Sequence, residues 1–343
     1  MKIGVLAPAD IALRRFMPAL AEIHELDFAG VAVHSSDERF GSEVPAPAIV
    51  AATMENEANR AQQFIAEYGG DIYPSYEAMV SAPDIDAIYI PLPPGLHAYW
   101  GKEVLLAGKH LFMEKPFTTS ASETRELLAL AQARKLAVQE NYMFAYHAQL
   151  EAINKIIASG AIGDPRLIRI DFGFPRRSQN DFRYDKTLGG GALLDAGGYP
   201  LRYATMLLGP SAKVMSASSS YGTGTDVDLY GAAMLTNDQG ACAQIAFGMD
   251  NSYRCDLNVW GSTGTLTSSR ILTAPEGFVP SATITNAGGS ESVELPADDA
   301  FRKSIEAFLE FVANPADRMR RYEEIQHQAD LVESFRSQSG VAI

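Results

Sequence analysis

The chain has little cysteine, histidine or basic charge. Its two cysteines, Cys242 and Cys255, in 343 residues are too few for a disulfide framework and too isolated for a thiolate metal site. A reducing compartment fits that composition, and a cytoplasmic protein is expected. Lys and Arg number 28 against 42 Asp and Glu, giving a net charge of −14. Such a surface repels a phosphate backbone, so a nucleic-acid partner is not expected. Apolar runs are short: the opening stretch stops at Pro8 and Asp10, and none reaches the roughly 20 residues of a membrane span. His97, His110, His147 and His327 are scattered, without H-x-x-x-H spacing or a carboxylate cluster. A metal site is therefore not expected, which argues against a metal-dependent hydrolase.

What is present is a chain 47% hydrophobic and 20% charged, too apolar for disorder and too long for one small core, which implies two globular domains. Strand-like and helix-like segments alternate through the first 140 residues: strands at Lys2–Ala7, Phe28–His34, Ala87–Leu92, His110–Lys115 and Leu136–Tyr142, helices at Ile11–His24, Asn56–Tyr68, Leu96–Ala107 and Ser120–Arg134. That is the pattern of parallel strands with helical crossovers, an α/β domain over 1–140. Residues 35–53 exceed an ordinary βα loop and read as an insertion at the sheet edge. From 141 to 343 the texture is α+β. A helix at Gln149–Ser159 and strands at Arg166–Phe174, Val214–Ser220, Leu229–Leu235, Cys242–Met249 and Leu257–Thr267 are followed by helices at Phe301–Ala313 and Arg318–Ser337. Turns at 237–240 and 261–264 make consecutive strands antiparallel.

The loop after the first strand is the natural place for a pyrophosphate, because a strand feeding straight into a helix aims free N–H groups there. Where G-x-G-x-x-A is expected, the chain reads Ala7-Pro8-Ala9-Asp10-Ile11-Ala12. Alanine takes φ > 0 at a cost and Pro8 has no N–H, so the loop alone fits a nucleotide site or a plain βα turn equally well. Two further segments sit at carboxyl ends of expected parallel strands, the ligand side of an open sheet: Pro91-Leu92-Pro93-Pro94-Gly95-Leu96-His97 and Glu114-Lys115-Pro116. An isolated lysine at a strand end is most simply a solvated one. Flanked by Met113, Pro116 and Phe117, Lys115 could instead be partly buried and fit for proton transfer.

The strand–loop–helix opening, PLPPGLH, AGKHLFMEKPF and GGGALLDAGGYPLRYATMLLG together resemble the Gfo/Idh/MocA oxidoreductase family over essentially the whole chain. The resemblance implies an N-terminal Rossmann domain, a C-terminal domain on a large, open, mostly antiparallel sheet, and NAD or NADP as hydride carrier. It implies sugars, nucleotide sugars, inositols and related polyols as substrates. Carried over, Lys115 holds the reacting oxygen beside the nicotinamide, and Asp195 and Tyr199 fall on the family's D-x-x-x-Y/H pair, four residues apart on one helical face. The plainer alternatives are a charged helix residue and a core-edge aromatic. A tyrosine, with a reference pKa of about 10, suits proton donation better than general-base work. Reduction of a ketone on a sugar or nucleotide-linked sugar is therefore the expected activity. A dehydrogenase of a polyol, inositol or dihydrodiol is the alternative, and a non-catalytic NAD(P)-binding sensor the second alternative.

The cofactor set expected on this basis is Ala7, Ala9, Asp10, Ile11, Ser35, Ser36, Arg39, Pro91, Leu92, His97, Glu114 and Lys115. In His34-Ser35-Ser36-Asp37-Glu38-Arg39, serines occupy the turn after the second strand and Arg39 is within reach of a 2′-phosphate, which favours NADP with NAD possible. The expected substrate set is Asn141, Tyr142, Arg183, Tyr184, Asp195 and Tyr199. Arg183 is either a cation paired with Asp181 or Asp185 or, with Arg176 and Arg177, a phosphate ligand. The open sheet retains apolar residues on a face that the chain's own helices cannot cover, and relatives pair such sheets, so a homodimer or homotetramer is expected.

Overall fold

Short strands whose residues are apolar on both faces form a parallel sheet only when helices cover both sides. The computed structural model, which describes residues 1–40, 46–178 and 181–340, has six short strands in its first sheet: β1 (Lys2–Leu6), β2 (Asp27–Ala32), β3 (Asp71–Tyr73), β4 (Ala87–Ile90), β5 (His110–Glu114) and β6 (Val138–Asn141). They pair in the order β3-β2-β1-β4-β5-β6, every pairing parallel. Strand order reverses between β1 and β4, the switch point at whose carboxyl ends doubly wound sheets bind ligands. The crossovers are α1 (Met17–Ala21), α2 (Ser36–Phe40), α3 (Pro47–Tyr68), α4 (Tyr76–Ser81), α5 (His97–Leu106) and α6 (Ala121–Arg134).

Three details depart from expectation. The helix expected from Ile11 is π-helical over Ala12–Phe16 before α1, in whose first turn Pro18 sits. The expected insertion is largely helix: α3 begins at Pro47 instead of Asn56, at the position where a missing N–H costs nothing. Residues 41–45 of that stretch lie outside the described residues. The edge strand β3 and helix α4, capped by Ser75 Oγ accepting from Ala78 N–H, are too short to leave a periodic signal.

The second sheet has eight strands: β7 (Pro165–Gly173), β8 (Lys213–Tyr221), β9 (Asp228–Thr236), β10 (Cys242–Gly248), β11 (Arg254–Gly261), β12 (Gly264–Ser269), β13 (Ser281–Asn286) and β14 (Gly289–Glu294). Their order is β14-β13-β12-β11-β7-β10-β9-β8, antiparallel throughout except for β7 beside β10. The segment expected as one strand, Leu257–Thr267, is the hairpin β11–β12. β13 and β14 went unrecognised because they are mostly polar and exposed. The helices of this half are α7 (Ala148–Ala158), α8 (Gly198–Leu208), α9 (Ala300–Ala313) and α10 (Arg318–Gln338). Alternation along β9 to β11 buries Leu229, Ala233, Leu235, Ile245, Phe247, Leu257 and Val259 in one core with Leu201 and Ala204 of α8, which lies against β10 and β7.

Two compact units result: Met1–Phe117 with Ser122–Asn141 and Ser304–Glu323, and Thr118–Ala121 with Tyr142–Lys303 and Glu324–Ile343. The chain changes unit at Asn141/Tyr142 and later returns: 304–323 belongs to the first unit, where Phe308 packs edge-on against Phe112 at 5.3 Å.

Candidate active site

At the end of β1 the chain must turn sharply into a helix, and Ala7 does so at φ +111°, a conformation that normally falls to glycine. The turn closes with Ala9 N–H donating to Ala7 O at 2.9 Å, and Leu13 N–H to Ala9 O at 3.1 Å. The first-turn N–H groups of Asp10 and Ile11 have no intrahelical acceptor by construction. Asp10 is exposed and Ala9 and Ile11 are partly so. Thus the geometry of a pyrophosphate cradle survives although its glycines do not, and the loop fits a dinucleotide. After β2, Ser35 and Glu38 form a reciprocal cap: Ser35 N–H donates to Glu38 Oε2 at 2.6 Å, and Glu38 N–H to Ser35 Oγ at 3.3 Å. Ser36 is half-buried and Arg39 exposed, on the same short turn.

The two strand-end motifs behave differently from expectation. Pro91 and Leu92 are buried, and it is Pro93 and Gly95 that carry the loop's exposed surface. His97, expected at the cofactor, is 0% exposed. Its Nδ1 and Nε2 each lie 2.8 Å from a main-chain carbonyl, Pro116 O and Leu92 O respectively. Burial holds its imidazole below the ordinary value. His97 is a strut between the two loops. Lys115, at the end of β5, is half-buried, with Met113, Pro116 and Phe117 buried around it.

Glu114 accepts from Tyr89 Oη at 2.8 Å and from Asn141 Nδ2 at 2.7 Å. Burial raises its carboxyl, and those two donors with Lys115 oppose the rise. Asn141 Oδ1 accepts from Ser304 Oγ at 2.9 Å, and Ser304 Oγ accepts from Gln139 Nε2 at 3.2 Å. Asn141 is therefore committed to a buried network, not to a substrate. Glu114 likewise supports Lys115 from behind.

In the second unit the glycine-rich segment brings a helix down onto aromatic residues. Asp228 Oδ2 accepts from Leu193 N–H at 2.7 Å, capping the π-helical stretch Leu193–Gly197, a form that recurs at functional positions. A Cβ at Gly191 would lie 2.4 Å from Asp228 Oδ1, and one at Gly198 would lie 2.0 Å from Tyr142 Oη. Only glycine allows either approach. Tyr199, partly buried at the start of α8, has its ring among Phe172, Tyr142 and Phe144, with centroids at 5.1, 5.3 and 5.7 Å. Tyr142, expected at the substrate, is 2% exposed and backs Tyr199.

Arg183 is the largest revision. Its Nε donates to Asp195 Oδ2 at 2.6 Å and its Nη1 to Asp181 Oδ1 at 3.1 Å. Burial works against its charge, but Asp195 and Asp181 raise the guanidinium above its usual value. Arg183 therefore takes up Asp195, and of the arginine cluster only Arg176 and Arg177 remain exposed. Arg176 lies over the Tyr184 ring at 5.3 Å and 3.4 Å from Asp250; Tyr184 Oη accepts from Arg177 N–H at 2.9 Å. Tyr184 thus fixes this basic segment, of which residues 179–180 lie outside the described residues.

The sequence reading missed Asp228, Tyr89 and the buried carboxylate Glu57. It also missed Glu38, although S-x-x-E at Ser35–Glu38 is a legible cap signal.

Residues 29–142 match the model of an oxidoreductase family with an NAD-binding Rossmann fold, and residues 150–267 that of the GFO/IDH/MocA C-terminal domain. The chain is 39% identical to dTDP-3,4-didehydro-2,6-dideoxy-alpha-D-glucose 3-reductase of Streptomyces violaceoruber, over 91% of this chain and 85% of the relative. It is 36% identical to the enzyme of the same name from Actinomadura kijaniata, over 98% and 95%. The crystal structure of KijD10, a 3-ketoreductase from Actinomadura kijaniata in complex with NADP and TDP-benzene, superposes with a TM-score of 0.89 at 35% identity, covering 98% of this chain and 97% of that one. The chain belongs to the Gfo/Idh/MocA family of oxidoreductases.

Proposed function

We propose that this oxidoreductase is an NADPH-dependent ketoreductase acting on the C3 ketone of a dTDP-linked deoxysugar. The observation that carries the proposal is similarity along nearly the whole chain, at 35–39% identity, to relatives named as dTDP-sugar 3-reductases. It is supported by Lys115 and Tyr199, two residue types able to handle a carbonyl oxygen and its proton. NADPH, when bound, supplies the hydride that reduces the carbonyl carbon. The ammonium of Lys115 polarises and aligns the carbonyl oxygen, stabilising the negative charge that develops there. The Tyr199 hydroxyl gives that oxygen its proton and is reprotonated from solvent, so the ketone leaves as a secondary alcohol. Asp195 acts through Arg183, fixing the segment ahead of Tyr199. Arg176 and Arg177 are the guanidinium groups offered to the diphosphate of the sugar nucleotide. Ala7, Ala9, Asp10 and Ile11 take the pyrophosphate of the cofactor, and Ser35, Ser36 and Arg39 its 2′-phosphate.

The test is direct. The purified protein is mixed with NADPH and dTDP-3,4-didehydro-2,6-dideoxy-α-D-glucose, and loss of nicotinamide absorbance is followed. Stoichiometric loss with formation of a 3-hydroxyl is expected. Turnover confined to free polyols with NADP as oxidant would replace the proposal with the dehydrogenase alternative.

A homo-oligomer belongs to the same proposal. The face of the second sheet opposite α8 exposes Met215, Tyr230, Met234 and Trp260, an apolar surface suited to burial against a second copy. Light scattering that showed a monomer at micromolar concentration would remove it. Neither cysteine forms a disulfide, which supports a cytoplasmic setting. Among the described residues, no helix is long and apolar enough to cross a membrane.

A further inference from the structure

A buried cluster beneath the turn after β2 takes no part in the chemistry above. His34, Glu57 and Tyr76 are 8%, 9% and 5% exposed. They come from three elements: the end of β2, the middle of α3 and the start of α4. Glu57 Oε1 accepts from the main-chain N–H of His34 at 3.1 Å and from Tyr76 Oη at 3.4 Å, while its Oε2 contacts His34 Nε2. Glu38 binds the same places from above, accepting from the N–H groups of Ser35, Tyr76 and Glu77 at 2.6, 3.2 and 3.0 Å. The Tyr76 ring is braced edge-on by Trp100 at 5.2 Å. The turn bearing Ser35, Ser36 and Arg39 is thus pinned at its root by two carboxylates, and only Glu38 is near the surface.

We propose that Glu57, buried beneath the turn, is a positioning residue for cofactor choice: by tying His34 to Tyr76 it fixes the turn on which Ser36 and Arg39 meet a 2′-phosphate. The proposal rests on the NADPH reading of that turn. A rigid turn loses less freedom on binding, so its preorganisation appears as affinity for the phosphate-bearing cofactor alone. The groups facing Glu57 are His34 from β2, Arg39 and Glu38 from α2, Arg60 from its own helix and Tyr76 from α4. Burial pushes the Glu57 carboxyl up to about 7, and burial followed by Arg39 lowers the His34 imidazole. Glu57 therefore gives up its proton as pH rises through that value. That leaves a negative charge under Arg39, opposing a 2′-phosphate but not a 2′-hydroxyl.

The experiment is equilibrium titration of NADPH and NADH by nicotinamide fluorescence, with no substrate, between pH 6.5 and 8.5. Glu57→Leu should raise the NADPH dissociation constant about tenfold and move that of NADH less than about twofold. Glu57→Gln, which keeps both accepted hydrogen bonds, should bind NADPH as the parent does at pH 6.5. It should also abolish the parent's loss of NADPH affinity above pH 7. Arg39→Ala separates the two layers of the argument. If it lowers discrimination while a folded Glu57→Leu does not, the positioning role is wrong and the cofactor reading stands. If Arg39→Ala leaves discrimination intact, the phosphate reading fails and this proposal with it. Should Glu57→Leu fail to fold, Tyr76→Phe, which removes the hydroxyl that donates to Glu57, decides: NADPH affinity equal to the parent's overturns the proposal.

Discussion

Arg183 Nε stands 2.6 Å from Asp195 Oδ2, twelve residues away along the chain, and both side chains are largely shielded from solvent. The aspartate of the D-x-x-x-Y element is thus occupied by an arginine that Asp181 also holds. Removing either partner strands a partly buried charge. Asp195→Ala and Arg183→Ala should each destabilise the fold by about 1–3 kcal/mol. The double variant should lose clearly less than the sum, because the pair acts as a unit. Urea unfolding of the four proteins measures this, and simple additivity would show that the contact contributes nothing.

The proposed mechanism gives Lys115 and Tyr199 separable contributions. Lys115→Ala should lower kcat at least about 10²-fold with little change in NADPH affinity, since polarisation of the carbonyl matters mainly in the transition state. Tyr199→Phe removes only a hydroxyl. If Tyr199 is the sole proton donor, the two losses will be similar; if Lys115 also donates, Tyr199→Phe will act mostly on KM. We expect the lysine to matter more. Near-native turnover by Lys115→Ala would defeat the mechanism.

The backbone at Ala7 carries a testable strain. At φ +111° a Cβ is disfavoured, so Ala7→Gly should relieve it and stabilise the protein by up to about 1 kcal/mol, offset in part by the freer unfolded chain. NADPH binding should be at least as tight. A drop in melting temperature for Ala7→Gly would mean that the turn is not strained.

Gly198 lets α8 descend onto Tyr142. Gly198→Ala would put a Cβ 2.0 Å from the Tyr142 hydroxyl, with an expected cost of about 1–3 kcal/mol from overpacking. Tyr142→Phe in the same chain should restore part of it, since the hydroxyl is the atom struck first. Thermal melts of the single and double variants give the answer, and an absence of any rescue would place the clash elsewhere.

His110 contributes to the acid limb of the stability curve. Its Nδ1 accepts from Ala137 N–H at 2.9 Å and so must carry no proton. Burial, with Arg318 adding to it, lowers the imidazole to about 4. The folded state therefore binds fewer protons than the unfolded chain below about pH 6.5, and stability falls as pH drops from there through 4. Allowing for its partial exposure, the loss should be on the order of 2 kcal/mol. Urea titrations at pH 7 and 4.5 measure it, and His110→Gln should flatten that limb. An equal acid loss in the variant would assign it to other groups.

The sequence by itself determined the doubly wound half and the mostly antiparallel second half, and it singled out Lys115, Asp195 and Tyr199 as candidates. Continuous apolar strands can be satisfied only between two layers of helices, alternating ones only with one face covered, and both periods are local properties of the chain. Tertiary structure decided which polar residues turn into the interior. His97, Asn141 and Tyr142 stand beside the motif residues in sequence yet turn inward, because carbonyls at Leu92 and Pro116, a hydroxyl at Ser304 and the glycine gap at Gly198 receive them. Arg183 read equally well as a phosphate ligand or a paired cation until Asp195 was brought against it. The edge strand β14 and its neighbour β13 leave no strand signal because they are mostly polar and exposed. An apolar residue needs only an interior, which its periodicity reveals; a polar residue needs a particular partner, and only the folded chain supplies one.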